Sequence, residues 1–517
     1  MNLGQVIDSA VRKFGNRIAF SDPERRLTFK EVDERSRRLG NALIALGMER
    51  GSRIATLQYN AIEIIEFDLC AARFGFVRSL LNARSDAQAH LQALQDCEAR
   101  VLVFGEKHTA AVEGLRPSLD IEHYICVGSA PRWAIRYEDL IAAAPADAPT
   151  WEVGEEDWHS IYFTSGTTGR AKGVVLSQRN WLVVIRNHLM DLYTHTGPDD
   201  VVLHAAPLSH ASGVMMFSQL ARGARQHVME RFDPGEALAI IERERVTTVY
   251  LAPTMVYKLL DHEDIGRRDL SSLRMLRYGG APMAAERAKE AIARFGPVLA
   301  QAYGQWEAPQ VFTVFTREQH VEALETGKLH RLMSAGMAMT YAEVGIMDDA
   351  GNLLPPGSEG EIVTAGDHLM VGYLNQPEET AALRVGKWQR TGDIGRMDAD
   401  GYIYLTDRKK DFIITGGNNV YPREIEEVLY AHPSVHEAVA VGIPDQTWGE
   451  TVHAVVVLKD GQSTEPDVLL EWCRTRLPTD KRPRSISFMS DLPKSAYGKI
   501  LRREVRDPFW KGMARRI

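Results

Sequence analysis

The chain holds 517 residues, 44% of them hydrophobic and 25% charged. At ~100–200 residues per domain that is material for several cores, which excludes a single small binding module. Its 69 Asp and Glu outweigh its 61 Lys and Arg, for a formal charge of -8, so it lacks the basic excess with which proteins neutralise many phosphates, and no nucleic-acid partner is expected.

Four cysteines, Cys70, Cys97, Cys126 and Cys473, stand far apart with no CxxC pair. That argues against a zinc knuckle or a disulfide framework and suits a reducing cytoplasm. The opening MNLGQVIDSAVRKFG carries Asp8 within its apolar stretch, so no secretion signal is expected. Short β-rich runs then alternate with helical patterns: RIATLQY, a helix over 61–74, VRSLLN, a helix over 87–94, and VLVFG. The alternation predicts α/β layers with largely parallel strands. The most apolar stretch, 64–77, is interrupted by Glu66, Asp68 and Arg73, far short of the ~20 clean apolar residues of a membrane span, and none is expected.

Further on, RVTTVYLAP and LRMLRYGGAPM each set an apolar strand before a turn-forming Pro or Gly pair, and ligands on such sheets sit just beyond the strand ends. From residue 342 the texture changes to short strands with turn signals, EVGIMDDAGNLLPPGSEGEIVTAG and GRMDADGYIYLTD, which read as an antiparallel or barrel-like subdomain. A polar break at 406–411 precedes a helix over 422–432, strands at HEAVAVGIP and HAVVVLKD, a helix over 466–476 and a basic tail. This last block is large enough to fold as its own domain.

The most informative stretch is 160–177, SIYFTSGTTGRAKGVVLS: an apolar strand, a loop of small hydroxyl and glycine residues, and a second apolar strand. No carboxylate lies between Asp157 and Asp191, while Arg170, Lys172, Arg179 and Arg186 are basic. Such a loop suits a polyanion. Gly166 and Gly169 let backbone N–H groups turn inward, the hydroxyls of Thr164, Ser165, Thr167 and Thr168 add donors, and Lys172 can meet a terminal phosphate as a point charge. The expected guest is a nucleoside triphosphate. The spacing is not that of a P-loop and a strand follows instead of a helix, so that reading fails. A turn-rich surface hairpin is the plain alternative.

YFTSGTTGRAKG closely resembles the signature of the adenylate-forming superfamily, which includes acyl-CoA and aryl-CoA synthetases, luciferases and nonribosomal adenylation domains; the family usually has Pro where Ala171 stands. Similarity continues in chain order at PLSHASG, YGGAPM, YGQWE, RTGD, DRKKDFIITGGNNVYPREIEEVL and PKSAYGKILRREV. The resemblance implies an α/β fold in which a large N-terminal domain, 1–406, combines α/β layers with a β-barrel-like subdomain. A small mobile α+β domain, 407–517, follows. It also implies ATP, Mg2+ and coenzyme A as co-substrate, with two half-reactions at one site. A carboxylate attacks the α-phosphate of ATP to give an acyl adenylate and pyrophosphate, and a thiol then displaces AMP. Two anions must be brought together, so cationic and dipolar clamps are needed.

On that resemblance Glu307 matches the magnesium-binding glutamate, since Mg2+ on nucleotide phosphates takes hard oxygen ligands; a solvated loop carboxylate is the alternative. Gly279, Gly280 and Ala281, with Tyr303 and Gly304, are similar to the adenine-binding walls, where glycine lets a flat ring approach the backbone. Asp393 in RTGD resembles the ribose-binding aspartate and Arg408 the arginine that assists it, while Asp407, Lys409 and Asp411 also read as ordinary linker charges. Lys410 matches the family's hinge, and a hinge lets one site host two attacks with different leaving groups. Lys499 matches the lysine that reaches the α-phosphate in the first arrangement. The turn containing Gly416 and Gly417 faces the site in the second.

His210 in PLSHASG aligns with the residue that gates the acid pocket, though histidine is also common as a satisfied core residue. Ala211 stands where amino-acid-activating domains carry aspartate, which argues against an α-amino acid. Trp306 stands where the family has Thr. An indole has one donor and no acceptor, and two readings stay open: part of the acyl-pocket wall, or a brake on adenylation. The apolar ASGVMMFSQL, 211–220, is expected to help line the acyl pocket, with adaptable Met215 and Met216 beside Phe217.

The expected activity is an AMP-forming acid–thiol ligase acting on a hydrophobic aryl or aliphatic monocarboxylic acid. CoA is favoured as acceptor because no carrier domain follows Lys499 in this sequence. A stand-alone enzyme loading a carrier protein and a non-catalytic nucleotide-binding homologue are the alternatives, and a homodimer is left open.

Overall fold

The computed structural model describes residues 1–164, 171–408, 413–415, 418–445, 448–494 and 500–511. Two large sheets dominate. In the first, the strands Ile18–Ser21, Arg225–Val228, Val201–His204, Thr248–Leu251, Met275–Gly279 and Leu299–Gln305 lie side by side and parallel. Antiparallel strands close both edges, Arg26–Thr28 at one and Ala308–Phe315 then Met337–Ala338 at the other. In the second, Trp158–Thr164, Val77–Leu80, Arg53–Leu57, Val101–Gly105, His123–Val127 and Ile135–Arg136 run parallel. Lys172–Ser177 and Gly372–Tyr373 are added antiparallel at its edge. The unbroken apolar runs of strands such as Val101–Gly105 are what a sheet covered on both faces requires.

The helix Ile62–Phe74 explains how an apolar stretch can carry charges without meeting lipid. Every one of its residues is buried, and each charge that interrupts the apolar run has a partner. Glu66 accepts from Arg35 at 2.5 Å and from the Tyr137 hydroxyl at 2.7 Å, Asp68 accepts from Arg78 at 2.7 Å, and Arg73 donates to Asp8 at 2.7 Å. Buried charges are tolerated when paired and hydrogen-bonded in this way. Among the described residues no helix is long and apolar enough to cross a membrane.

The two large sheets are clasped by Asn60, which follows the strand Arg53–Leu57. Its Nδ2 donates to the carbonyls of Ala206 and Met229, both at 3.0 Å, and its Oδ1 accepts from the Leu208 N–H at 2.8 Å. One buried amide thereby fixes the turn that leads to His210. The segment read as barrel-like is an antiparallel sheet in which Glu343–Met347, Glu359–Ala365, Trp388–Met397 and Arg384–Val385 pair in order, with Ile403–Arg408 added on Trp388–Met397. The ring does not close among the described strands. A separate sheet, centred on the long hairpin of Val435–Asp445 and Gly449–Leu458, packs with the helices Pro422–Tyr430 and Pro466–Arg474 around its own core.

Burial holds the imidazoles of His204, His320 and His368 neutral, each pushed down to about 4. In the unfolded chain they titrate near ~6.5, so between those values the unfolded state binds more protons than the folded one. Their stabilisation is therefore complete above ~6.5 and is lost as pH falls toward ~4. The melting temperature by scanning calorimetry is expected to drop steadily from about pH 7 to about pH 5. A flat profile there would show that these rings do not stay neutral.

Candidate active site

The strands Trp158–Thr164 and Lys172–Ser177 form an antiparallel hairpin whose last paired residues are Thr164 and Lys172. The register therefore fixes both ends of the glycine-rich loop. Ser165, Gly166, Thr167, Thr168 and Gly169 lie outside the described residues. The Lys172 ammonium donates to Glu379 Oε2 at 2.6 Å, from the short helix Pro377–Ala382, and lies 4.8 Å from the centre of the Tyr373 ring.

Tyr373 connects that lysine to the next predicted group. Its hydroxyl donates to Glu307 Oε1 at 2.8 Å. Burial and the Glu307 charge push the phenol above its ordinary range, so it remains a donor. Glu307 and Trp306 make the tight turn between Leu299–Gln305 and Ala308–Phe315, where Gln305 pairs with Ala308. The Glu307 carbonyl accepts from Gln389 Nε2 at 2.7 Å and from the Met370 N–H at 3.1 Å. Among the described residues no three carboxylate, imidazole or thiol side chains converge as a protein-only metal cage. A lone carboxylate fits Mg2+, which is usually held by one or two carboxylates plus phosphates and water.

Gly279 ends the strand Met275–Gly279, and a methyl group there would run into the Ala302 carbonyl oxygen of the neighbouring strand. Gly280 takes φ +80°, a left-handed conformation that suits glycine, and Ala281 follows it. Tyr303, beside Gly304, donates its hydroxyl to Asp393 Oδ2 at 2.7 Å and rests edgewise on Phe312 at 4.7 Å. The residues predicted as adenine wall and ribose acceptor are thus joined. Arg408 stands opposite Asp393 in the antiparallel register.

His210 sits at the start of the helical turn Ala211–Val214, its Nδ1 3.1 Å from the Ser209 hydroxyl. Burial pushes the ring down to about 3, so it is neutral at ordinary pH. Its ring meets Trp306 at 74° with centres 5.9 Å apart, and Trp306 in turn stacks on Tyr162 at 3.5 Å and 10°. The stretch expected to line the acyl pocket divides. Ala211 and Met215 pack with Tyr250 and Ala302 beside the Gly279 turn. Met216 and Phe217 turn into the main core, where Phe217 packs on His159 and Trp181.

Lys410, Gly416, Gly417 and Lys499 lie outside the described residues. Lys494, at the head of the PKSAYGK run, pairs with Glu437 at 2.8 Å and with Asp491. Tyr373, Gln389 and Glu379 escape sequence reasoning because each takes its role only from a contact with a residue distant in the chain. The one signal in reach is the hydroxyl-bearing aromatic in VGYLNQPEET, which follows no motif of known chemistry.

A family model described as "AMP-binding enzyme" matches residues 7–374, and one described as "AMP-binding enzyme C-terminal domain" matches residues 424–499. The chain is 37% identical over 485 residues to a feruloyl-CoA synthase of Amycolatopsis sp, covering 93% of this chain and 94% of that one. It is 32% identical to the medium/long-chain-fatty-acid–CoA ligase FadD8 of Mycobacterium tuberculosis, covering 99% and 91%. Among solved structures it resembles the amide bond synthetase McbA from Marinactinospora thermotolerans, with TM-score 0.89, 32% identity and coverage of 98% and 100%.

Tyr373→Phe removes the donor to Glu307 and leaves the ring in place. Losing a partner that orients a metal ligand costs about tenfold in metal affinity or more. Calorimetric titration is expected to show that much more Mg2+ needed for half-maximal nucleotide binding, at an unaltered melting temperature. An unchanged Mg2+ requirement would remove Tyr373 from the site.

Proposed function

The chain belongs to the AMP-binding enzymes of the adenylate-forming superfamily, and from that premise we infer that it is an AMP-forming acyl- or aryl-CoA ligase whose substrate is a hydrophobic monocarboxylic acid. The observation that carries the reading is the Tyr373–Glu307 hydrogen bond at 2.8 Å. It ties a carboxylate suited to a phosphate-bound cation to a ring whose centre lies 4.8 Å from Lys172, the lysine bordering the glycine-rich loop.

In the first half-reaction a carboxylate oxygen bonds to the α-phosphorus of ATP and the bond to pyrophosphate breaks. The loop from Thr164 cradles the outer phosphates, and Lys172 exchanges Glu379 for a phosphate oxygen. Glu307 would hold Mg2+, which supplies positive charge against the phosphates when bound. The Gly279–Gly280–Ala281 turn and Tyr303 flank the adenine, while Asp393, oriented by the Tyr303 hydroxyl and assisted by Arg408, accepts the ribose hydroxyls. His210, neutral, borders the acid. In the second half-reaction a thiol sulfur bonds to the acyl carbon, the acyl–phosphate oxygen bond breaks, and AMP leaves. Clamping both anions in a fixed geometry supplies much of the rate.

The division into 1–406 and a mobile 407–517, with Lys410 as hinge, Lys499 for adenylation and the Gly416–Gly417 turn for thiol transfer, is supported by motif similarity. CoA as acceptor is supported by the similarity to a feruloyl-CoA synthase and to the fatty-acid–CoA ligase FadD8, as are aryl and aliphatic acids as substrates. A second acceptor class, an amine, is favoured by the likeness to an amide bond synthetase. The four free, buried cysteines support a cytoplasmic location, and light scattering would test a homodimer.

Incubation with ATP, Mg2+, CoA and a panel of aryl and fatty acids is expected to yield AMP and a thioester. Adenylate without thioester would redirect the reading to a carrier-protein or amine acceptor, and absence of pyrophosphate release would sink it. Lys499→Ala is expected to abolish adenylate formation yet largely spare thioester synthesis from supplied acyl adenylate; equal loss in both halves contradicts the role. Lys410→Pro, by restricting backbone rotation, is expected to spare adenylation and stop thioester formation. If the second step survives, the hinge lies elsewhere.

A further inference from the structure

Trp306 stands at a point where few side chains could be placed without consequence. It is the residue before Glu307, and consecutive Cα atoms are only ~3.8 Å apart. On the ligase reading the acid borders His210 and its carboxyl meets the phosphates that Glu307 would serve through Mg2+, so an indole in contact with His210 and one residue from Glu307 flanks the carboxyl end of the acid. The ring is half-buried. One neighbour, Tyr162, covers it in a flat stack at 3.5 Å. Another, His210, meets it at 74°, so the two rings make a corner.

The corner is rigid from behind. Tyr162 is 2% exposed, and the Arg78 guanidinium lies 4.9 Å from its ring centre. Arg78 is held by Asp68 at 2.7 Å, and Asp68 also lies 3.0 Å from His159 Nε2. Breaking a buried pair of this kind leaves an uncompensated charge, so the guanidinium that backs Tyr162 is held in place.

We propose that Trp306, backed by Tyr162 and walled by His210, is a specificity-determining residue that selects acids whose conjugated plane begins at the carboxyl carbon. The inference rests on the ligase reading and narrows its substrate class. Aryl and aryl-acrylic acids are flat from the carboxylate outward and present a π face or edge to the corner. Saturated acids carry a tetrahedral carbon next to the carboxyl, which holds hydrogens out of that plane and spoils offset-stacked or edge-to-face contact. A corner of two aromatic rings rewards the first shape and not the second.

The test compares cinnamate with 3-phenylpropanoate, which share a carbon skeleton and differ by one double bond. Pyrophosphate release would be followed for the native chain, Trp306→Phe and Trp306→Thr. Taking the ratio of kcat/KM for the two acids within each protein cancels any change in ATP handling or in the amount of folded enzyme. The native chain is expected to prefer cinnamate. That preference is expected to fall about fivefold in Trp306→Thr, the size of a lost aromatic contact, and to persist in Trp306→Phe. An unchanged ratio in Trp306→Thr, or native turnover confined to saturated acids, overturns the proposal and leaves the ligase reading standing. Absence of pyrophosphate release by the native chain with every acid overturns the ligase reading itself.

Discussion

The geometry of the site hangs on how Glu307 is held. The turn it occupies belongs to the first large sheet, the Tyr373 hydroxyl on its carboxylate comes from the edge of the second, and the Gln389 amide on its carbonyl comes from the antiparallel sheet. Three sheets with separate strand orders therefore converge on one residue. A buried carbonyl left without a donor costs on the order of 1–3 kcal/mol. Gln389, with no exposed surface, supplies one of the two donors to the Glu307 carbonyl, the Met370 N–H the other, and so ties the turn to the antiparallel sheet.

Two ion pairs near the loop show how magnitude separates scaffold from site. Lys172 and Glu379 are 23% and 58% exposed, and pairs of that exposure contribute about 0–1 kcal/mol. The exchange of Glu379 for a phosphate oxygen proposed for Lys172 would therefore cost little. Arg78 and Asp68 are 1% and 6% exposed, and removing one partner of such a pair costs ~3–5 kcal/mol. Burial disfavours the Asp68 charge, yet the Arg78 charge and the His159 hydrogen bond outweigh it and hold that carboxyl below the usual range. This pair carries the strand beneath the loop and is not available for exchange.

Much of the architecture was readable in advance. RIATLQY became the strand Arg53–Leu57, the pattern over 61–74 the helix Ile62–Phe74, and 160–177 an antiparallel hairpin ending at Thr164 and Lys172. Less readable was the direction in which apolar residues face. Met215 and Met216 are adjacent, yet one packs beside the Gly279 turn and the other in the main core, because neighbours on a helix lie ~100° apart and only packing selects the face. Glu66, Asp68 and Arg73 looked like interruptions of an apolar run and are instead members of buried ion pairs whose partners lie elsewhere in the chain.

Residue type and periodicity are local properties, so the amino-acid order alone determined which segments become strands or helices and which stretch is rich in donors and poor in carboxylates. It could not determine which groups meet. Glu307 meets Tyr373, Trp306 meets Tyr162, and Tyr303 meets Asp393, and none of these pairs is close in sequence. Their contact depends on strand order and register, such as Tyr373 opposite Val174 at a sheet edge. Register is a collective outcome of burying whole sheet faces, because a slip by one residue turns every side chain to the other side.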